Sequence, residues 1–274
     1  MVVFEQVDKE KIQLLVKDGF VKEEAKTIYE AARFRKGEVA VICYTSGTAL
    51  LQGNKEAVEQ AAQRLQKMNF GTLVHSGKFR QENGLVIGSD ESLKGDTFGG
   101  LVVAAVKADK DIREQLMELG VADSKTLSDQ QMVSMAEKIK KIASCEVRSM
   151  LPEEYNKHHG TVTDRLNQLH AQCAQYLLPG KHIVDKYPGC AVGNLMVEKG
   201  ESKYVEVAAA SILARDAGLK QLQYLSGQAG FALPKGSTHV QLALLELKER
   251  GLDFRKFVKV DFGNVVDFLG NQGI

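Results

Sequence analysis

Net charge is the first thing this chain lacks. Its 274 residues carry 36 Lys and Arg against 35 Asp and Glu, which leaves +1. No global basic field announces a polyanionic partner, although a local basic face stays open because a sum hides distribution. Cysteine is scarce: Cys43, Cys145, Cys173 and Cys190 lie far apart. That spacing contains no paired metal-ligand motif, and free thiols in a reducing cytosol are its simplest account. No stretch approaches the roughly 20 apolar residues of a membrane span. Met1 to Gln13 carries acids early and no long apolar run, so no signal peptide is expected. Internal repeats and low-complexity tracts are absent too. These absences point to a soluble, cytoplasmic protein with no membrane partner, and nothing in the sequence demands more than a monomer. With 44% hydrophobic residues, it can bury a sizeable core in one large domain or two smaller ones.

What is present centres on Leu85 to Val106. The apolar run Leu85-Val86-Ile87 ends in Gly88-Ser89 and then presents two adjacent carboxylates, Asp90 and Glu91. A polar segment with Lys94 and glycines follows, then a second apolar run, Leu101 to Val106. The pattern is strand, functional turn, strand. Neighbouring carboxylates repel, so they need a reason to sit at a strand end, and a bound divalent cation is one. The plain alternative is a surface hairpin with incidental acids.

Taken in order, residues 1–70 form a small α+β module. Val2 to Val7 is a strand, and Asp8 through Ala32 has helical spacing with a break at Lys17-Asp18-Gly19. Glu38 to Tyr44 and Ala49 to Gln52 make a hairpin, and Lys55 to Met68 is an amphipathic helix. Residues 71–83, polar and glycine-bearing, are expected as a linker to a domain over 84–274. There the strand pair is followed by a helix from Asp109 to Leu119. A second helix is capped by Ser128 and runs to Ile142. A strand over Cys145 to Met150 leads through Pro152 to Asn156 into a polar loop. A helix from Val162 to Leu178, the short strand His182 to Asp185, a close-packing helix from Val205 to Arg215 and a helix from Thr238 to Arg250 follow. Phe254 to Phe262 is a basic and aromatic tail segment.

Four acids stand out in this frame: Asp90, Glu91, Asp185 and Glu201. Two lie at the end of the first strand, one ends a later strand, and one precedes a tightly packed helix. Carboxylates from strand ends can converge at one sheet edge, and oxygen ligands suit hard cations such as Mg²⁺ or Mn²⁺. Two such ions activate a water and stabilise a leaving oxygen in phosphodiester hydrolysis. Spacing alone leaves open whether the four meet.

The run Ile87-Gly88-Ser89-Asp90-Glu91-Ser92 with Lys94-Gly95-Asp96 resembles the opening motif of ribonuclease HIII, a branch of the type 2 ribonucleases H. Asp123 to Leu127, Ile183-Val184-Asp185, Glu201 to Tyr204 running into Ala208 to Arg215, and Leu233 to Gly236 resemble that family's later motifs in the same order. The N-terminal module is similar to the TATA-binding-protein-like domain with which the family binds substrate. The resemblance implies an α/β, ribonuclease H-like catalytic domain with a mixed sheet and flanking helices behind that small α+β domain. It implies endonucleolytic cleavage of RNA in an RNA/DNA hybrid, giving 5′-phosphate and 3′-hydroxyl ends. Asp90, Glu91, Asp185 and Glu201 would be the catalytic ligands of two Mg²⁺ or Mn²⁺ ions. Ser92, Lys94, Gly95, Lys125 and Lys203 would contact substrate.

One departure from the family stands inside the first motif. The family turn reads Gly-Lys-Gly, and this chain has Leu93-Lys94-Gly95. Leucine is penalised at positive φ and at close approach, so a shifted or strained loop is expected, and with it the alternative of a hybrid-binding relative impaired in cleavage. Gly100 also stands where the family often has proline. Among the remaining residues, Ser202 and Ser211 are expected as helix caps, Tyr204 and His170 as packing residues, and His158-His159 as solvated. Arg33, Arg35 and Lys36, with Tyr44 and Thr45, are candidates for contact with a nucleic-acid backbone.

Overall fold

The structure is a computed structural model and describes residues 2–75, 79–80, 82–121 and 127–270. The chain separates into two compact units, Met1–Lys78 and Phe79–Ile274.

In the first unit the elements run β1 (Val2–Glu5), α1 (Lys9–Lys17), β2 (Val21–Glu23), β3 (Glu30–Lys36), β4 (Val39–Tyr44), β5 (Ala49–Gln52), α2 (Lys55–Lys67) and β6 (Thr72–His75). The strands form one antiparallel sheet in the order β2-β3-β4-β5-β1-β6. Asp8 caps α1 by accepting from the Lys11 amide at 2.9 Å, and Asn54 caps α2. Both follow the preference for a short acceptor side chain at a helix start.

Two expectations fail here. The helical reading of Asp8 through Ala32 holds only to Lys17, and the rest supplies β2 and β3. The Glu-Ala-Ala-Arg run favours helix locally, but pairing with the β-branched β4 buries Ala32 and Phe34 on one face, and tertiary packing overrides propensity. The expected linker over residues 71–83 contains β6, paired with β1 at Phe4↔Leu73 and Val3↔Val74. Asn69, at φ 56, turns the chain after α2, and Phe70 packs edge-on against Phe4 at 5.3 Å. A strand of four residues is too short to show its period.

The second unit runs β7 (Val86–Ser92), β8 (Leu101–Ala108), α3 (Lys110–Leu119), α4 (Asp129–Ile142), β9 (Ser144–Met150), α5 (Pro152–Lys157), α6 (Val162–Leu177), β10 (Lys181–Asp185), β11 (Leu195–Val197), α7 (Val205–Ala229), α8 (Gln241–Glu249) and α9 (Gly263–Gly270). The mixed sheet has the order β11-β10-β7-β8-β9. β8 is antiparallel to both β7 and β9, while β10 is parallel to both β7 and β11. One face carries α7 with α3 and α4, and the other carries α6. Ser128 caps α4 in a reciprocal box with Gln131.

The segment Pro152 to Asn156, expected to open a loop, is the short helix α5, started by proline in its first turn. The helix expected to stop at Arg215 continues to Ala229, where Gly230 ends it in the left-handed region. Its small residues let it lie directly on β7. A Cβ on Gly88 would sit 2.4 Å from the Glu206 carbonyl carbon, so only glycine fits that contact.

Candidate active site

Successive residues of a strand face opposite sides of a sheet, and β7 uses both sides. Gly88, Asp90 and Ser92 face α7, while Ile87, Ser89 and Glu91 face α6. Asp90 is 8% exposed. It accepts from the Glu91 amide at 2.8 Å and from the hydroxyl of Ser211, which lies inside α7. Ser211 is therefore a partner of Asp90 and not the helix cap expected of it. Glu91 points the other way. Its Oε1 lies 3.1 Å from Lys94 Nζ, and its Oε2 lies 3.5 Å from His170 Nε2.

Asp185 ends β10, the parallel neighbour of β7, with Val184 opposite Ser89. Its Oδ1 accepts from the Gly200 amide at 2.8 Å. That amide belongs to the 3-10 turn Gly200–Ser202, which carries Glu201 and leads into α7. Strand end, strand end and turn thus bring Asp90, Glu91, Asp185 and Glu201 into one electrostatic group. Burial, then the charges of Glu91 and Asp185, push Asp90 well above the usual carboxylate range. Burial also lifts Asp185 to about 6, against the Gly200 amide and with the help of Glu201. Burial pulls Glu91 upward as well, but His170 and Lys94 outweigh it and hold that carboxyl below its ordinary value.

The donor set is all carboxylate oxygen, the chemistry of Mg²⁺ and Mn²⁺ sites. Among the described residues no three acidic, histidine or cysteine side chains stand close enough to hold a metal ion as they are placed. Two observations nevertheless fit a cation. Asp90 and Asp185 resist ionisation next to their neighbours, which a cation would reverse, and Glu91 Oε1 already faces a positive group, Lys94 Nζ at 3.1 Å. The residues present fit the metal.

The substrate-contact candidates divide. Lys94 lies at the site, on Glu91 and 5.0 Å from the Tyr187 ring centroid. Gly95 is exposed, and a Cβ there would meet nothing within 4 Å, so its backbone is open to approach. Ser92 points under α7, against Gly218. Lys203 donates to the Glu198 carbonyl at 2.8 Å. The motif segment Asp123 to Thr126, with Lys125, lies outside the described residues. Ser202 donates to the Lys199 carbonyl, and Tyr204, fully buried, donates to Glu82 at 3.1 Å. His158 stands 3.9 Å from Glu154.

Leu93 takes the left-handed backbone, at φ 65. A non-glycine residue there costs about 1–2 kcal/mol. The side chain offsets this by burial: it is 6% exposed and packs against Gly99, Gly218 and the core around Leu222, worth about 1.5–3 kcal/mol. The loop is therefore seated by its leucine. Gly100 is required by space, since a Cβ there would lie 2.1 Å from the Met150 carbonyl oxygen.

Sequence reasoning missed a buried group behind Glu91. Ser89 Oγ lies 2.8 Å from His170 Nδ1 and 2.8 Å from His182 Nε2. Burial, aided by His170, lowers His182 to about 4, so it is neutral. Tyr187 packs on His170 with centroids 5.2 Å apart. Of these, only the alternation of β7, which puts Ser89 on the same side as Glu91, was available in advance.

A family model described as Ribonuclease HII matches residues 87–186. Curated relatives include a ribonuclease HIII of Mycoplasma pneumoniae, 33% identical over 67% of this chain and 94% of its own length. Another, from Limosilactobacillus fermentum, is 36% identical over 65% of this chain and 67% of its own. Among solved structures, Bst-RNase HIII in complex with Mn²⁺ aligns over 99% of both chains with TM-score 0.62 and 25% identity. Aquifex aeolicus RNase H3 aligns over 95% of this chain and 100% of its own, with TM-score 0.58 and 25% identity. The mixed sheet with its acidic strand ends is the catalytic domain of a type 2 ribonuclease H, an enzyme acting endonucleolytically on RNA/DNA hybrids. Within that class the chain belongs to the ribonuclease HIII family. The impaired alternative raised by Leu93 is not favoured over this activity.

Proposed function

We propose that Asp90, Glu91, Asp185 and Glu201 hold two Mg²⁺ or Mn²⁺ ions and that cleavage leaves 5′-phosphate and 3′-hydroxyl ends. The observation that carries this is the placement of carboxylates at the ends of the adjacent parallel strands β7 and β10, with the turn that bears Glu201 tied to Asp185 by the Gly200 amide. When bound, the ions supply an activated water and stabilise the departing 3′-oxygen. The protein's own part is placement. Ser211 and the Glu91 amide fix Asp90, and the Gly200 amide fixes Asp185 beside Glu201. Lys94 neutralises Glu91 before metal and substrate arrive, then turns to a backbone phosphate. The open backbone at Gly95 is the point of approach to the ribose 2′-hydroxyl. Lys125 joins as a phosphate contact.

The N-terminal unit adds affinity for the hybrid. Arg33 is buried on Glu30 at 3.0 Å and is not available to phosphate. Arg35 and Lys36 pair with Glu23 and Asp18, with side chains 45% and 40% exposed, and such solvent-facing pairs are weak enough for phosphate to compete. The enzyme works as a monomer in the cytoplasm. Its four cysteines are free thiols, and among the described residues no helix is long and apolar enough to cross a membrane.

The test is cleavage of an end-labelled RNA/DNA hybrid in Mg²⁺, in Mn²⁺ and with chelator, beside a duplex carrying one ribonucleotide. Cleavage that vanishes with chelator and requires both the 2′-hydroxyl and the DNA strand supports the proposal. Cleavage that persists with chelator overturns it.

A further inference from the structure

Three elements meet behind Glu91, and each contributes one polar group. His170 comes from α6, Ser89 from β7 and His182 from β10. His170 is fully buried, Ser89 likewise, and His182 is 6% exposed. Buried polar atoms cost free energy unless paired, so their protons can be counted.

Glu91 Oε2 and His170 Nε2 are both buried without a conventional hydrogen-bond partner, yet they face each other at 3.5 Å. An imidazole lone pair aimed at a carboxylate oxygen is repulsive, so His170 Nε2 carries its proton. A ring protonated at Nε2 alone keeps Nδ1 as an acceptor. Among the described residues the partner of that nitrogen is Ser89 Oγ, at 2.8 Å, so the serine hydroxyl donates to it. Ser89 Oγ then has lone pairs for its other neighbour, His182 Nε2, at 2.8 Å. His182, neutral by burial, supplies that N–H. The direction of all three protons follows: His182 to Ser89, Ser89 to His170, His170 to Glu91. Tyr187 packs against the His170 ring, and its hydroxyl is fixed on Asn167 at 2.9 Å.

We propose that His170 is a positioning residue for Glu91, with the tautomer that presents Nε2–H to the carboxylate set by Ser89 and, through it, by His182. A histidine placed this way holds one carboxylate oxygen and leaves the other for a cation, as groups behind metal ligands do. Lys94 holds Oε1 in the present arrangement. Departure of that lysine therefore opens Oε1 while Oε2 stays anchored on His170. The inference deepens the metal-ligand reading of Glu91 and rests on it for its consequence, though not for the tautomer.

Two measurements on the full chain test it. The first is ¹⁵N-resolved NMR of the histidine side chains without divalent metal, with the His170 and His182 signals assigned from His170→Gln and His182→Gln. The expected result is a His170 ring with its proton on Nε2 and Nδ1 accepting, and a mixed or Nδ1-protonated ring in Ser89→Ala. A wild-type ring carrying a proton on Nδ1, or a ring unchanged in Ser89→Ala, would each overturn the relay. The second is Mn²⁺ binding followed by electron paramagnetic resonance. His170→Leu is expected to weaken binding by about 10- to 100-fold, with His170→Gln, which keeps an N–H, recovering part of the loss. If His170→Leu fails to fold, His170→Gln and Ser89→Ala carry the test through smaller losses. Wild-type affinity in every folded variant overturns the positioning role. Absence of Mn²⁺ binding in the wild type would instead remove the ligand reading of Glu91, and the NMR result separates the two failures.

Discussion

Lys259 Nζ donates to the carbonyl oxygen of Leu93 at 2.9 Å. The same ammonium reaches the carbonyls of Gly99 at 2.9 Å and Gly100 at 3.1 Å. One buried lysine from the C-terminal segment thus holds both ends of the loop that follows the acidic pair. Its side chain is fully enclosed, beside the rings of Phe262 and Tyr155.

Stability should reveal this lysine through pH. Burial lowers its ionisation to about 7, against the opposing pull of Asp96 and Asp261. The unfolded chain keeps that proton to about 10.4, so between these values it binds more protons than the native state. Stability must therefore rise with pH from about 7 toward 10, and the gain is lost as pH falls back through 7. Urea unfolding of wild type and Lys259→Met at a series of pH values measures the effect. The difference should move in favour of wild type by up to about 1.4 kcal/mol per pH unit above 7. A difference that stays flat from pH 6 to 9 would sink the argument.

Leu93→Gly should destabilise the protein even though it places glycine at a left-handed position. Relief of backbone strain is worth about 1–2 kcal/mol, whereas loss of a buried leucine costs about 2–5 kcal/mol. The net loss expected in urea unfolding is about 1–3 kcal/mol. A glycine variant as stable as wild type would mean that the leucine does not seat the loop.

Asp90→Asn should separate stability from activity. Cleavage of the hybrid should fall below detection in Mg²⁺ and in Mn²⁺. The metal-free variant should melt higher than metal-free wild type, because a buried, repelled carboxyl is replaced by a neutral amide. Retained turnover, or a lower melting temperature with Ser211 still in place, would contradict this account.

Binding of the hybrid should depend on salt through the N-terminal unit. If Arg35 and Lys36 each release one counterion, replacing both by Ala should reduce the slope of log affinity against log salt by about two. Arg33→Gln should leave that slope unchanged, since Arg33 is engaged by Glu30 in the interior. An equal effect from all three would show that the pairs are not what decides.

Much of the catalytic unit was legible because its strands are long, apolar and bounded by turn residues. The acids stood out because carboxylates at strand ends contradict the apolar pattern around them. The N-terminal sheet was less legible: β2 and β6 span three and four residues, and β3 is written in residues that favour helix. His170 was hidden by its surroundings. It sits among Leu166, Leu169 and Cys173 on a buried helix face, where a histidine looks like packing until the strand that faces it is known. Leu93 resisted reading for the opposite reason. Its backbone cost is visible in one residue, but the compensation comes from Gly99 and Gly218, one of them far along the chain.

Asp90 and Glu91 are adjacent in sequence, yet one answers to α7 and the other to α6. The two halves of the site are therefore suspended from separately packed layers, joined at a single peptide bond. Substitutions deep in the α6 layer will tilt Glu91 while leaving Asp90 at rest, and those in the alanine-rich helix will do the reverse. Such a centre offers two independent adjusting screws, so descendants of this chain have room to retune it for temperature or ionic conditions without touching a ligand.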